Sequence, residues 1–156
     1  MDVTYRDFEE RDFEDLRDMI FCLYDEDPEG LPINDEKIGK TTREYKKHPE
    51  KLRVVMILKD GEAVGYGILV FFWSNEYGGN IVVIDELYVK KAYRNARIAT
   101  DFIKSRMAAC ENAAALEVET TASNSAATRL YKRLGFESAE NNRLVLKIEK
   151  DPLRKP

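Results

Sequence analysis

The sequence predicts an α/β (α+β) fold, one mixed and mostly antiparallel sheet of about six to seven strands flanked by about four helices. Three observations predict it. Residues 51–89 hold three strand-like apolar runs joined by two short turns. Residues 81–121 then alternate strand, helix and strand, which calls for a crossover rather than a hairpin. Apolar stripes at helical spacing precede and follow this block.

The elements follow in order. "VTYRDF" (3–8) is a short strand. "DFEDLRDMIFCLYDED" (12–27) places Phe13, Leu16, Ile20, Leu23 and Tyr24 on one helical stripe. "DPEGLPIND" (27–35) is a loop of helix breakers, and Asp35 is a candidate cap for a second helix over 36–48. That helix is polar, so it is expected to be exposed and mobile. It ends before Pro49, with His48 at its last turn.

"KLRVVMILKDGEAVGYGILVFFW" (51–73) is two strands, with Asp60-Gly61 as a two-residue hairpin turn, because both tolerate positive φ. "SNEYGGN" (74–80) is a second turn, with Gly78 and Gly79 as its flexible pair, and "IVVIDELYV" (81–89) is a third strand. "ARIATDFIKSRMAACEN" (96–112) is a helix with Ala99, Phe102, Ile103, Met107 and Cys110 as its stripe. "AALEVETT" (114–121) alternates as a strand, and "SNSAATRLYKRLGF" (123–136) is a helix capped by Ser123 or Asn124. Gly135 supplies the left-handed residue after it, with Phe136 as the apolar contact beyond. "RLVLKIEK" (143–150) closes the chain as a last strand.

Composition narrows the function classes. The 156 residues suit a single domain spanning 1–156, and 44% hydrophobic content is enough for a core. A net charge of −4 and a pI near 5.2 argue against a nucleic-acid binder, which carries a basic face. No apolar run approaches the ~20 residues of a membrane span, and no signal peptide is read, so a cytoplasmic protein is expected. Cys22 and Cys110 read as buried thiols rather than a disulfide. The single His48 leaves no multi-histidine metal site, and no metal is expected.

Three local patterns carry chemistry. "YRNARIA" (93–99) joins a strand to a helix, where unpaired N–H groups and a partial positive charge can hold a pyrophosphate. It contains no glycine, so Asn95 is expected to take any unusual backbone angle while Arg97 stays helical and offers its guanidinium. In "NSAATRLY", Asn124 and Tyr131 lie seven residues apart on one helix face, with small Ala127 between them. In "IDELYV", two carboxylates interrupt an apolar strand. Alternation sends Asp85 to the face of Leu87 and Val89, and Glu86 to the face of Ile84 and Tyr88.

Together these patterns resemble the GNAT acyl-CoA-dependent N-acetyltransferases over about residues 3–150. "DELYVKKAYRNARIA" (85–99) looks like the family's fourth strand and its Arg-x-x-Gly-x-Gly/Ala turn, and "NSAATRLYKRLGF" (124–136) like its Asn…Tyr…Gly-Phe helix. "FWSNEYGG" (72–79) ahead of "IDELYV" is similar to small-amine acetyltransferases. The resemblance implies acetyl-CoA as cofactor and a small, cationic amine as acceptor, with direct attack in a ternary complex. It also allows a homodimer. It implies that Leu87, Tyr88 and Val89 line the pantetheine arm, the backbone of Leu87 and Val89 pairing with it. Arg94, Asn95, Ala96, Arg97, Ile98 and Ala99 would then hold the pyrophosphate. Asn124 would bond the pantetheine arm, which passes Ala127, and Tyr131 would protonate the leaving thiolate. Asp85 or Glu86 would serve as base or acceptor anchor, with Glu76 as a further acid at the cleft.

Two other classes compete. One is a non-catalytic acyl-CoA-binding or partner-binding module with a degenerate pyrophosphate turn. The other is a structural domain, which leaves the Asn124 and Tyr131 pairing unexplained.

Overall fold

The computed structural model describes residues 2–28, 30–110, 112–140 and 143–148. Five strands form one sheet in the order β1-β2-β3-β4-β5. They are β1 (Val3–Asp7), β2 (Leu52–Lys59), β3 (Glu62–Ser74), β4 (Gly79–Val89) and β5 (Ala113–Val118). The first four pair antiparallel, and β5 lies parallel to β4. The helices are α1 (Phe13–Glu26), α2 (Asp35–Lys47), α3 (Ile98–Ala109) and α4 (Ser125–Arg133).

The sheet has a core on each face. Leu16, Met19 and Ile20 of α1 and Ile38 of α2 pack with Val54, Met56, Tyr66 and Ile68. On the other face, Phe102 and Ile103 of α3 and Tyr131 of α4 pack with Val55, Ile57, Leu69, Val82 and Ile84. β3 lets α3 come close because it carries glycine where the helix crosses. A Cβ on Gly67 would stand 2.5 Å from the Phe102 ring. The α1 stripe gains Met19, which the sequence reading omits, while Phe13, Leu23 and Tyr24 are only partly buried. In α3, Met107 is exposed rather than part of the stripe.

Local chemistry sets most boundaries. Asp60 (φ 51) and Gly61 (φ 87) make the β2–β3 turn, and Gly78 (φ 61) bends the next one. Asn34, not Asp35, caps α2 by accepting from the Lys37 N–H at 2.9 Å. Most of α2 is exposed, but Ile38 and Thr42 anchor it. Asn124 caps α4 through the Ala127 N–H at 3.1 Å, and Gly135 (φ 94) follows its end. Asp12 receives both Arg6 guanidinium nitrogens, at 2.6 and 2.7 Å, and the Glu9 N–H at 2.8 Å, which fixes β1 to the start of α1.

Among the described residues the sheet has five strands rather than six to seven. The expected closing strand is absent from residues 143–148, and residues 149–150 lie outside the described residues. The segment has strand-like alternation, but a strand needs a ladder partner. Leu144, Leu146 and Ile148 are 92%, 90% and 89% exposed, so their apolar face is buried against nothing described. Cys22 is exposed rather than buried, and both cysteines are free. No described helix is long and apolar enough to cross a membrane.

Candidate active site

The site begins where two parallel strands part. β5 pairs with β4 only from Asn80 to Ile84, leaving Leu87–Val89 without a neighbour on that edge. The Lys90 N–H donates to the Val64 carbonyl of β3 at 2.8 Å. Peptide groups alternate along a strand, so those of Leu87 and Val89 turn away from β3 and into the gap. The gap widens into a cleft of about 750 Å³. Its walls are the end of β4, the turn into α3, the inner face of α4 and the last residues of α1.

The turn into α3 corrects the sequence expectation. Both Asn95 (φ 62) and Arg97 (φ 63) are left-handed. Arg97 is the residue before α3, not part of it, and its side chain makes no cap. Two left-handed residues separated by one let the backbone curl tightly, a geometry that glycine supplies more cheaply. The first N–H groups of α3 are thereby left without a side-chain cap at the cleft wall. The Arg97 guanidinium makes no hydrogen bond or ion pair among the described residues.

Arg94 is already engaged. Its Nε donates to the Val89 carbonyl at 2.8 Å, and its Nη2 to Glu26 at 2.7 Å. The guanidinium also lies over the Tyr88 ring, 5.3 Å from the centroid. Tyr88 donates to the same Glu26 at 3.2 Å. The end of α1 is thus clasped to the end of β4. Beside it, Asp27 accepts from the Thr121 hydroxyl at 2.9 Å and from the Asn124 amide at 3.3 Å. One Asn124 N–H remains after these bonds and its cap.

Tyr131 is 8% exposed, with its ring edge-on to Phe136 at 5.3 Å. Its hydroxyl has no hydrogen-bond partner among the described residues. No fully buried side-chain polar atom there is unpaired, so this oxygen opens to the cleft it lines. Burial pushes its phenol up to about 12, which keeps it protonated at neutral pH.

Glu86 shares the face of Tyr88, as alternation has it, but Ile84 does not, and Asp85 drops out of the alternation. Ile68 faces Glu86 and Leu69 faces Ile84, so Asp85 is an extra residue in a bulge. The bulge reverses parity. Ile84 joins Leu87 and Val89 on the α3/α4 face, and Glu86 joins Tyr88 on the α1/α2 face. Glu86 accepts from Tyr24 at 2.9 Å and from Tyr66 at 2.7 Å. Burial raises its carboxyl above the ordinary range, and these two phenols oppose that rise only in part. Tyr24 and Tyr66 are themselves raised by burial and by Glu86. Asp85 is solvent-exposed but flanked by enough protein to raise its carboxyl, with Arg143 pulling the other way.

The cleft therefore brings together Leu87, Tyr88, Val89, Arg94, Asn95, Arg97, Ile98, Ala99, Asn124, Ala127 and Tyr131. Ala96, Glu76, Asp85 and Glu86 are not among its lining residues. Sequence reasoning missed Glu26 at the end of α1, Asp27 just after it, and Arg129 and Arg133 of α4, which do line it. The carboxylates lie about 60 residues from β4 in sequence, and no local signal marks them. The arginines show a spacing of four beside Tyr131, a signal that was available.

The Acetyltransferase (GNAT) family pattern matches residues 6–136. No match is found among curated protein sequences. Among solved structures, a possible acetyltransferase from Clostridium difficile 630 is similar, with a TM-score of 0.82 and 18% identity over 95% of this chain and 99% of that one. A ribosomal-protein-alanine N-acetyltransferase from Brucella melitensis biovar Abortus 2308 has a TM-score of 0.74 and 16% identity, over 94% and 100%. AAC(6')-Iy, in complex with the bisubstrate analogue CoA-S-monomethyl-acetylneamine, has a TM-score of 0.72 and 18% identity, over 96% and 99%. At these identities structural likeness speaks for the fold alone. The family match covers most of the chain and falls on the forked strands, the turn and the Tyr131 helix, and by it the chain belongs to the GNAT acetyltransferase family.

Proposed function

We propose that this protein moves the acetyl group of acetyl-CoA to an amine of a small cationic acceptor, by direct attack in a ternary complex. One observation carries the reading: the Tyr131 hydroxyl, on an otherwise buried ring, stands unpaired in the cleft beside the open edge of β4. Packing holds the ring while its oxygen stays open to the cleft, an arrangement that suits a donor to a bound ligand. The lining also fits the cofactor. The Leu87 and Val89 peptide groups offer strand-like pairing to an amide-bearing arm, and the uncapped start of α3 with Arg97 suits a pyrophosphate.

Acetyl-CoA supplies the activated acyl thioester. The Val89 N–H, aimed into the gap, donates to the carbonyl oxygen as negative charge develops on it. Tyr131 donates to the sulfur as the C–S bond breaks. Asp85, Glu86 and Glu76 bias the field toward a cationic acceptor. Glu86 takes the amine proton through water, because both its oxygens accept from phenols and the cleft does not reach it. Neither cysteine lines the cleft, so no covalent enzyme intermediate is invoked. Holding the two reactants together contributes about 7–11 kcal/mol.

A second reading, an acyl-CoA-binding module without turnover, is favoured by the position of those carboxylates outside the cleft lining. An acetyl-CoA consumption screen over polyamines, aminoglycosides, amino acids and peptide N-termini separates the two. Turnover with a cationic amine supports the first. Tight coenzyme A binding with no turnover on any amine supports the second.

A further inference from the structure

The end of α1 breaks an electrostatic rule. A helix C-terminus carries the negative end of the dipole and favours cations. The last turn of α1 has no basic residue, and Asp25, Glu26 and Asp27 close it. Glu26 is compensated by Arg94 and Lys91. Asp27 pairs with no cation among the described residues. It also lines the cleft proposed to take a polyanionic cofactor, so its charge opposes the ligand too. Departures from local rules gather where a residue serves a site rather than the fold.

Asp27 instead takes two neutral donors from the other end of the chain. The Thr121 hydroxyl stands 2.9 Å from each of its oxygens, and the Asn124 Nδ2 donates to it at 3.3 Å. Thr121 and Asn124 bracket the turn between β5 and α4, which the Asn124 N–H closes on the Thr121 carbonyl at 3.1 Å. The Asn124 Oδ1 is occupied by the Ala127 N–H at the start of α4. A carboxylate can only accept, so it admits one orientation of the amide, with nitrogen toward Asp27. The cap demands the same orientation from the oxygen side. Held at both ends, the amide does not swivel, and its second N–H is kept for the cleft that Asn124 lines.

We infer that Asp27 is a positioning residue for the cofactor arm: it locks the Asn124 amide so that an N–H, not the carbonyl oxygen, is offered to the pantetheine. The inference rests on the reading of the cleft as an acetyl-CoA site. Asp27 acts through Asn124 and need not touch the ligand. Its acceptor-only chemistry, rather than its charge, is what the site uses.

The test is a double-mutant cycle, read by calorimetric titration of coenzyme A into the full chain as wild type, Asp27→Ala, Asn124→Ala and the double variant. A second ligand, 3′-phosphoadenosine 5′-diphosphate, is coenzyme A cut back to its pyrophosphate and has no arm for Asn124 to hold. Asp27→Ala should weaken coenzyme A binding about five- to tenfold, the scale of one hydrogen bond, although it removes a like charge from the cleft. It should leave the armless ligand no weaker. In the Asn124→Ala background the Asp27 change should weaken nothing further. Asp27→Asn keeps an accepting oxygen in place and should bind coenzyme A as tightly as wild type or more so.

Equal or tighter coenzyme A binding by Asp27→Ala overturns the role and leaves the acetyl-CoA reading standing. So do additive losses in the cycle, and so does an equal loss of both ligands, because Asp27 then supports the whole cleft rather than one contact. A wild type that binds neither ligand overturns the role and the acetyl-CoA reading together. If Asp27→Ala does not fold, the isosteric Asp27→Asn still decides: a loss of coenzyme A affinity in it means that Asp27 supplies charge, not an accepting oxygen.

Discussion

Replacing Tyr131 by Phe removes one oxygen and little else. The ring keeps its edge contact with Phe136 and its place in the α3/α4 core. No partner is orphaned, because the hydroxyl has none among the described residues. The change in stability should therefore stay within ~0.5 kcal/mol, the range of substitutions that break no packing or bonding. The catalytic loss can be bounded from acidities. A free thiol has a pKa of about 8.5, whereas burial holds the Tyr131 phenol at about 12. Full proton transfer to the thiolate is uphill, so Tyr131 helps chiefly by donating a hydrogen bond as charge grows on sulfur. That puts the effect at or below the low end of general acid catalysis, about 10–100-fold in kcat. Ground-state affinity for acetyl-CoA should barely move. The assay is steady-state turnover with the acceptor found by screening, paired with calorimetric affinity and a thermal melt. The pH profile adds a check: burial raises the Tyr131 phenol, so its protonated form should persist across the neutral and mildly alkaline range, and a fall in kcat near neutral pH belongs to another group. An unchanged kcat in a variant whose chemical step limits turnover would falsify the assignment.

Arg97→Gly should raise the melting temperature, because a left-handed non-glycine residue costs roughly 1–2 kcal/mol that glycine avoids. The same change should weaken coenzyme A binding about tenfold by removing the free guanidinium; tighter binding would mean that the side chain obstructs the site. Asp12→Asn should cost about 2 kcal/mol at pH 7, since it breaks a bidentate pair that is buried on the Asp12 side. The Arg6 hydrogen bonds hold the Asp12 carboxyl below its ordinary value. Its contribution is therefore complete above the unfolded pKa of about 3.9 and fades as pH falls through the lower folded value. Urea melts of the two proteins should converge below about pH 4, and a constant gap down to pH 2 would contradict this. Gly67→Ala places a methyl 2.5 Å from the Phe102 ring and should destabilise by about 1–3 kcal/mol, read by the same melts.

The parts of the site legible in the sequence were those set by local rules. Asn124 before one short helix, Tyr131 within it and Gly135 just beyond its end have places fixed by periodicity and capping. The Asp60-Gly61 turn and the α3 core pair Phe102 and Ile103 were legible for the same reason. Three features were not. The bulge at Asp85 adds one residue, and one residue reverses every later side-chain direction, so strict alternation misplaced Ile84 relative to Glu86. Arg97 adopts a conformation that its own propensity opposes, and no local pattern marks it. The segment 143–148 has a strand's pattern without a strand's partner, and pairing is not a property of a segment alone.

The fork between β4 and β5 also bears on self-association. Unpaired peptide groups on a sheet edge invite any extended chain to add a strand, and proteins guard such edges with charge, bulges or cover. Here the open stretch at Leu87–Val89 is recessed between α3 and α4 rather than placed on the rim. Any chain that adds a strand there must enter between the two helices, so the edge stays open to pairing without forming a rim on which a second sheet can grow.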